Sequence, residues 1–226
     1  MRSASHLPRF RTAVAACAVA VGMALTVAAC GSGGGGDKGA IKGSSGNGGS
    51  SKSASPSAAP SQQAGAPTIK LPADFKLDYT GWTATGNATK DAVLKDVQGY
   101  IASMSAARAY HDVKNGPYLY YTDLQATADA RDEIKRFETT DGGATITGTD
   151  RYYKNDVALV SASIASVSYC EDQNKAYSKV IKTGKVLRTP QTTKDYVFTN
   201  LQVQKSTNGV WKTVKVTYNP GAVQCQ

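Results

Sequence analysis

Between Gly31 and Pro67 the chain reads GSGGGGDKGAIKGSSGNGGSSKSASPSAAPSQQAGAP, a stretch in which Ile41 is the only large apolar residue. Such a segment has too little apolar surface to offset the entropy of ordering it. Whatever can build a core must therefore lie on either side. Half of the 22 glycines fall inside the stretch and all 12 tyrosines lie beyond it, so the composition of the whole chain describes neither part. The sequence divides into an apolar N-terminal segment over 1–29, a disordered tether over 30–68 and one body over 71–226. That body has about 155 residues, an ordinary size for a single domain. As a flexible coil the tether would hold its ends roughly 30 to 35 Å apart.

The N-terminal segment has the layout of an export signal. Arg2, Arg9 and Arg11 form a basic head without an acid, and Thr12 to Ala29 carries no charge. A basic head stays in the cytoplasm while an apolar run enters the translocon. An uncleaved membrane anchor is the alternative, because the run approaches the length that spans a bilayer. The residues that follow favour cleavage. Val27-Ala28-Ala29-Cys30 resembles the lipobox of bacterial lipoproteins, in which small residues fit an extended peptidase cleft and the cysteine thiol takes a diacylglycerol. The resemblance implies that Cys30 becomes an acylated first residue and holds the protein on the outer face of the cytoplasmic membrane. Two or more acyl chains anchor stably where one does not. Cys17 would leave with the signal.

Removing the signal arginines lowers the formal charge from +9 to about +6, spread along the chain in the manner of an ordinary solvated surface. No clustered basic face points to nucleic acid, and export would separate the protein from it. The partners expected are the lipid bilayer, through acylated Cys30, and a small apolar ligand, a wall component or another exported protein. The oligomeric state is not legible in the sequence.

Within the body, Val93, Leu94, Val97, Tyr100, Ile101, Met104 and Ala107 recur at three- and four-residue spacing, which predicts a helix from about Thr89 to His111. Leu124, Ala128, Ile134 and Phe137 predict a second amphipathic helix, closed by Asp141-Gly142-Gly143. Two helices are thus expected before any strand. Beyond Ala144, β-branched and aromatic residues predict strands over 144–153, 157–170, 176–181, 196–205 and 210–218. Asn208-Gly209 predicts a hairpin joining the last two. In the final strand Val210, Val214, Val216 and Tyr218 form the expected apolar face. The fold class is α+β, with N-terminal helices packed on one face of an antiparallel sheet.

The long helix, the segments Ser168-Tyr169-Cys170-Glu171-Asp172, Lys182-Thr183-Gly184-Lys185-Val186 and Asn208-Gly209-Val210-Trp211-Lys212-Thr213-Val214, and the cysteine near the end resemble exported actinobacterial lipoproteins of the nuclear-transport-factor-two-like superfamily. The resemblance covers about 75–226. It implies a cone-shaped, cystatin-like arrangement in which a curved antiparallel sheet wraps the helices and leaves a pocket at its wide end. The superfamily includes ketosteroid isomerases, dehydratases and polyketide cyclases as well as members without catalysis, so fold alone does not settle function.

Cys170 and Cys225 are the two cysteines left in the body, and in an oxidising compartment they are expected to form a disulfide. The loop it closes would restrict the unfolded chain by about 4 kcal/mol in the entropy model. A cysteine nucleophile needs a base, and the body offers only His111, which its helix-end position marks as a cap or surface residue. The acid-base pairs of the superfamily's enzymes find no matching motif. Asp112, Asp123 and Asp195 flank apolar segments and read as caps. Tyr118, Tyr120, Tyr121 and Trp211 read as packing groups before they read as a pocket lining. No catalytic residue, metal set or cofactor is assigned, and the ligand pocket is not located. A non-catalytic ligand- or partner-binding module of the cell envelope is favoured; the alternative is a pocket enzyme doing general acid-base chemistry on a small apolar substrate.

The lipobox reading has a direct check. Cys30→Ser should abolish incorporation of labelled fatty acid and shift the protein out of the detergent phase on Triton X-114 partitioning. Unchanged labelling and partitioning would refute it.

Overall fold

The structure is a computed structural model that describes residues 65–139 and 143–226. The signal segment, Cys30, most of the tether and the Asp141-Gly142 break lie outside the described residues. Contrary to expectation, a strand comes first: β1 (Phe75–Gly81) precedes α1 (Ala88–Tyr110), a single turn α2 (Tyr118–Tyr121) and α3 (Leu124–Thr139). Then follow β2 (Ala144–Leu159), β3 (Ile164–Val180), the two-residue β4 (Val186–Leu187), β5 (Tyr196–Lys205) and β6 (Trp211–Pro220). The sheet order is β1-β2-β3-β5-β6, with β4 beside the far end of β3. All pairings are antiparallel except β1 with β2, which is parallel.

α1 starts where Asn87 accepts hydrogen bonds from the backbone N–H groups of Thr89 and Lys90, at 3.0 and 3.1 Å. An N-cap of this kind satisfies two of the helix's orphan donors. At the other end His111 takes a left-handed conformation with φ 55°, and its Nε2–H donates to the Ala144 carbonyl at 2.7 Å. The helix terminus is thereby tied to the first residue of β2. Val93, Val97, Ile101 and Met104 of α1 are buried among Val157, Val167, Leu201 and Val203 of the sheet, so the helical stripe faces the sheet as its periodicity requires.

The second helix buries Ala126, Ala130 and Ile134 rather than Leu124 and Ala128, which are exposed. A four-residue spacing runs down that side. The small alanines let α3 lie close beside α1, and Glu133, next to Ile134, turns inward to an ion pair with Arg108.

The three strands expected over 144–153, 157–170 and 176–181 are two, β2 and β3. Asn155-Asp156 looks like a turn, but the chain passes through it as a bulge with Lys154 at φ 53°, and the hairpin falls at 160–163 instead. Asn208-Gly209 does turn β5 into β6, with Gly209 at φ 84°. A bulge opposite Gln202–Val203 then changes the parity of β6: Trp211 and Thr213 face inward before it, Val216 after it. Val214, expected in the core, is the extra residue of that bulge and lies outside the buried cluster. A bulge inserts one residue against none and reverses the facing of everything beyond it.

On the other face of the sheet Tyr153, Cys170, Ala222 and Cys225 form a small second cluster. Cys170 and Cys225 are joined by a disulfide, with Cα atoms 5.4 Å apart. Lys154 Nζ donates to the Gln224 carbonyl at 2.6 Å, so the C-terminal segment is pinned on both sides.

Truncation separates core from bulge. Ile101→Ala should cost about 2 to 4 kcal/mol in urea denaturation, against less than about 1 for Val214→Ala. Equal costs would contradict the shift of register in β6.

Candidate functional site

The cavity opens at the end of the sheet where β2 begins, β3 ends and β4 lies across. Its volume is about 530 Å³, within the usual range for a small-molecule site, roughly 300 to 1,000 Å³. The C-terminal turns of α1 and α3 supply Arg108, Glu133 and Phe137, and the sheet supplies Asp150, Glu171 and Tyr218. Lys194 and Asp195, on a turn of 3₁₀ helix before β5, stand at another wall.

A break in the β2–β3 ladder makes the floor. Thr149 pairs with Lys175 and Arg151 with Asp172, so Asp150 faces two residues, Gln173 and Asn174, that have no partner in register. Gly148, just before it, has φ 99°, and a Cβ there would overlap the Lys175 carbonyl oxygen. Only glycine fits both the conformation and the approach. β-bulges bend strands and re-aim side chains, and this one carries Asp150 into the cavity wall.

Asp150 and Glu171 are 6% and 7% exposed. Their environments differ. Glu171 Oε1 accepts from Gln173 Nε2 at 2.8 Å and from the Tyr152 hydroxyl at 3.3 Å. Asp150 Oδ1 is buried and has no hydrogen-bond partner among the described residues. Burial first, and then the Glu171 charge, push the Asp150 carboxyl well above the ordinary carboxylate range, while Arg108 opposes them. Burial also raises Glu171, against the lowering effect of Gln173, Arg108 and Tyr152. Hydrogen bonds to a carboxylate favour its ionised form, so a proton held by this pair rests on Asp150. The pair titrates as a unit.

Arg108 is the nearby cation, but its Nη2 is 2.6 Å from Glu133 Oε1. Tyr152 and Tyr79 stack beneath the acids with centroids 5.3 Å apart, and burial raises both hydroxyls far above their ordinary range. Those rings exclude water from below. The arrangement can accept a hydrogen bond or a positive charge at Asp150, or hold and release a proton there.

Of the sequence's candidate acids Asp195 borders this cavity, as do Phe137 and Tyr218, expected only as apolar packing groups; the Asp195 Oδ2 caps the backbone N–H of Thr192 at 2.6 Å. Asp112 accepts from the Asn115 N–H and Asp123 from the Leu124 N–H. Tyr118 and Tyr121 are buried in the main core, with Tyr120 packed against it, and Trp211 is buried there too. The Trp211 backbone N–H donates to Asp96 Oδ2 at 2.8 Å, which joins α1 to the start of β6. No group of three or more His, Cys, Asp and Glu among the described residues is placed to hold a metal ion. Asp150, Glu171, Arg108 and Glu133 were not foreseen. Parity marks the first two, since Glu171 follows Val167 and Tyr169 at strand spacing and Asp150 precedes Tyr152. A charge at a core position of a periodic pattern is the informative exception to apolar burial.

No family model and no curated protein matches the chain. Solved structures do. A ketosteroid isomerase-like protein from Erwinia carotovora atroseptica is 16% identical over 59% of this chain and 97% of its own, with a TM-score of 0.40. A domain with a cystatin-like fold from Nostoc punctiforme is 12% identical over 61% and 79%, TM-score 0.38. A nuclear-transport-factor-two-like protein from Shewanella oneidensis is 12% identical over 55% and 97%, TM-score 0.34. These proteins are similar in fold; the α+β arrangement described above stands on its own topology.

A buried acid whose folded pKa is raised binds its proton more tightly in the folded state, so its contribution is lost as pH rises through that pKa. Asp74 and Asp91 have the opposite shift, lowered chiefly by the hydrogen bonds from Lys179 and from the Thr85 N–H, and comparison with a variant cancels them. Asp150→Asn should become progressively more stable than the wild type as pH rises from about 4, the ordinary carboxylate value, in urea denaturation at a series of pH values. A constant difference across that range would show that Asp150 is ionised at no cost.

Proposed function

We propose that the protein is a membrane-anchored extracytoplasmic lipoprotein whose α+β domain binds a small organic ligand in the cavity floored by Asp150 and Glu171. The observation that carries the binding part is a buried carboxylate oxygen without a protein partner in the wall of a 530 Å³ cavity. A buried polar atom left unpaired costs stability, about 1 to 3 kcal/mol, and a chain tolerates that where a ligand group meets it. The anchoring part is supported by the sequence alone, through Cys30 after Val27-Ala28-Ala29. Among the described residues no helix is long and apolar enough to cross a membrane.

One observation favours a second reading, general acid-base catalysis. Asp150 and Glu171 occupy one water-poor site with unequal hydrogen bonding, the circumstance that tunes carboxyl groups toward proton transfer at neutral pH. The chemistry would be proton abstraction beside a carbonyl, with Asp150 as the group that carries the proton. Binding is common to both readings and is the one stated as the function.

Native mass spectrometry of the exported full chain should detect a co-purifying small molecule, and Ala176→Trp, which fills the cavity wall, should lose it while keeping the far-ultraviolet spectrum. An adduct that survives the tryptophan would place binding elsewhere. Deuterium exchange into an enolisable ketone, present in the wild type and absent in Asp150→Asn, would promote the catalytic reading.

A further inference from the structure

The cavity's charges do not balance, and the imbalance identifies a class of ligand. Four acids line it, Glu133, Asp150, Glu171 and Asp195, against two bases, Arg108 and Lys194. Arg108 is engaged by Glu133 at 2.6 Å. Lys194 stands on the 3₁₀ turn before β5, whose first residue, Tyr196, pairs with Asp172 beside the ladder break. The lining therefore holds two more acids than bases, and Asp150 Oδ1 has no hydrogen-bond partner among the described residues, nor does Arg108 Nε. Around the acids, Phe75, Phe137, Tyr177 and Tyr218 offer ring surface.

We infer that the cavity selects a small organic cation, an ammonium or amidinium group on an apolar or aromatic body, with the positive group seated against Asp150 and Glu171. This deepens the binding reading and rests on it. A cation there supplies the missing counter-charge and donates to the unpaired oxygen, while the body covers the rings, whose faces also attract cations. A charge-assisted hydrogen bond in a water-poor site is about twice as strong as a neutral one. A carboxylate ligand would meet the acids at close range, and a neutral hydroxyl would satisfy the oxygen without balancing the charge.

The raised Asp150 carboxyl favours a bound proton, which a cation seated there displaces. Every element packed here contributes to that balance. Glu171 and Asp172 of β3 favour retention of the proton or of a cation, while burial keeps the hydroxyls of Tyr79 of β1 and Tyr152 beside Asp150 neutral. Arg108 of α1 favours the ionised acid, and Glu133 of α3 offsets Arg108. Tyr218 of β6 and the Lys194–Asp195 pair of charges stand farther along the lining. Binding of the cation should accordingly strengthen as pH rises above the ordinary carboxylate range, until the alkylammonium itself deprotonates.

The test uses three molecules of nearly one shape on the exported full chain in nanodiscs: tryptamine, tryptophol and indole-3-acetate, by isothermal titration in buffers of different ionisation enthalpy. Tryptamine should bind at least about tenfold more tightly than tryptophol, and indole-3-acetate most weakly. Its binding should release up to about one proton, as the linkage requires. Asp150→Asn should remove most of the tryptamine preference and the proton release while leaving tryptophol affinity within about threefold; Glu171→Gln serves as the second variant should the first not fold. Equal affinity for amine and alcohol, preference for the acid, or an unchanged preference in a folded variant would overturn the charge inference while leaving a binding pocket. Failure of all three to bind would overturn it together with the pocket reading.

Discussion

The bend of the long β2–β3 hairpin is the constraint on which the cavity depends. A sheet laid flat on α1 and α3 would meet helix along its whole length and leave no interior space. Here the inner half of the sheet, around Val157, Val167, Leu201 and Val203, does close on α1 and makes the dry core. At Gly148 the strand turns away, because its positive φ and its contact with the Lys175 carbonyl tolerate no side chain, and two residues of β3 fall out of register beside Asp150. The same irregularity thus opens the space and furnishes it with an acid. The residue before β1 holds the same position, where the Gly148 N–H donates to the Asp74 carbonyl at 2.8 Å.

Burial of charge follows from that geometry and sets what the cavity can do. Arg108 lies one helical turn beyond Met104 on the stripe that packs the sheet, so its guanidinium enters the interior by the same periodicity that buries its neighbours. Glu133 meets it from α3. Once this pair is made, Asp150 and Glu171 remain as acids in a site of low polarity, one well supplied with donors and the other not. The distinction between them comes from the ladder break, which places Gln173 against Glu171 and leaves Asp150 Oδ1 without a hydrogen-bond partner among the described residues.

Particular elements show how far the sequence could be read. The α1 stripe and the Asn208-Gly209 hairpin are local: a repeat of three and four residues, and a dipeptide suited to positive φ, act within a few residues and need no partner to be recognised. β1 was legible and overlooked, since Phe75-Lys76-Leu77-Asp78-Tyr79-Thr80 alternates cleanly but stands apart from the other strands. The facing of Val214 was not legible, because a bulge is decided by the pairing of two strands and the alternation of either strand alone gives no sign of it. Asp150 and Glu171 carried a partial signal, charges at inward positions, without any sign that they would meet.

Sequence by itself determined the order of helices before the main run of strands, the α+β class, the core-facing stripe of α1 and the candidacy of Cys30 for lipidation, each because the information lies in a short window of residues. Tertiary structure alone decided that Asp150 and Glu171, separated by 21 positions in the chain, share one site and that Arg108 pairs with Glu133 beside them. Those facts depend on register across a hairpin and on the approach of two helices. Electrostatic energy depends on distance and burial, and neither is defined until the chain has folded.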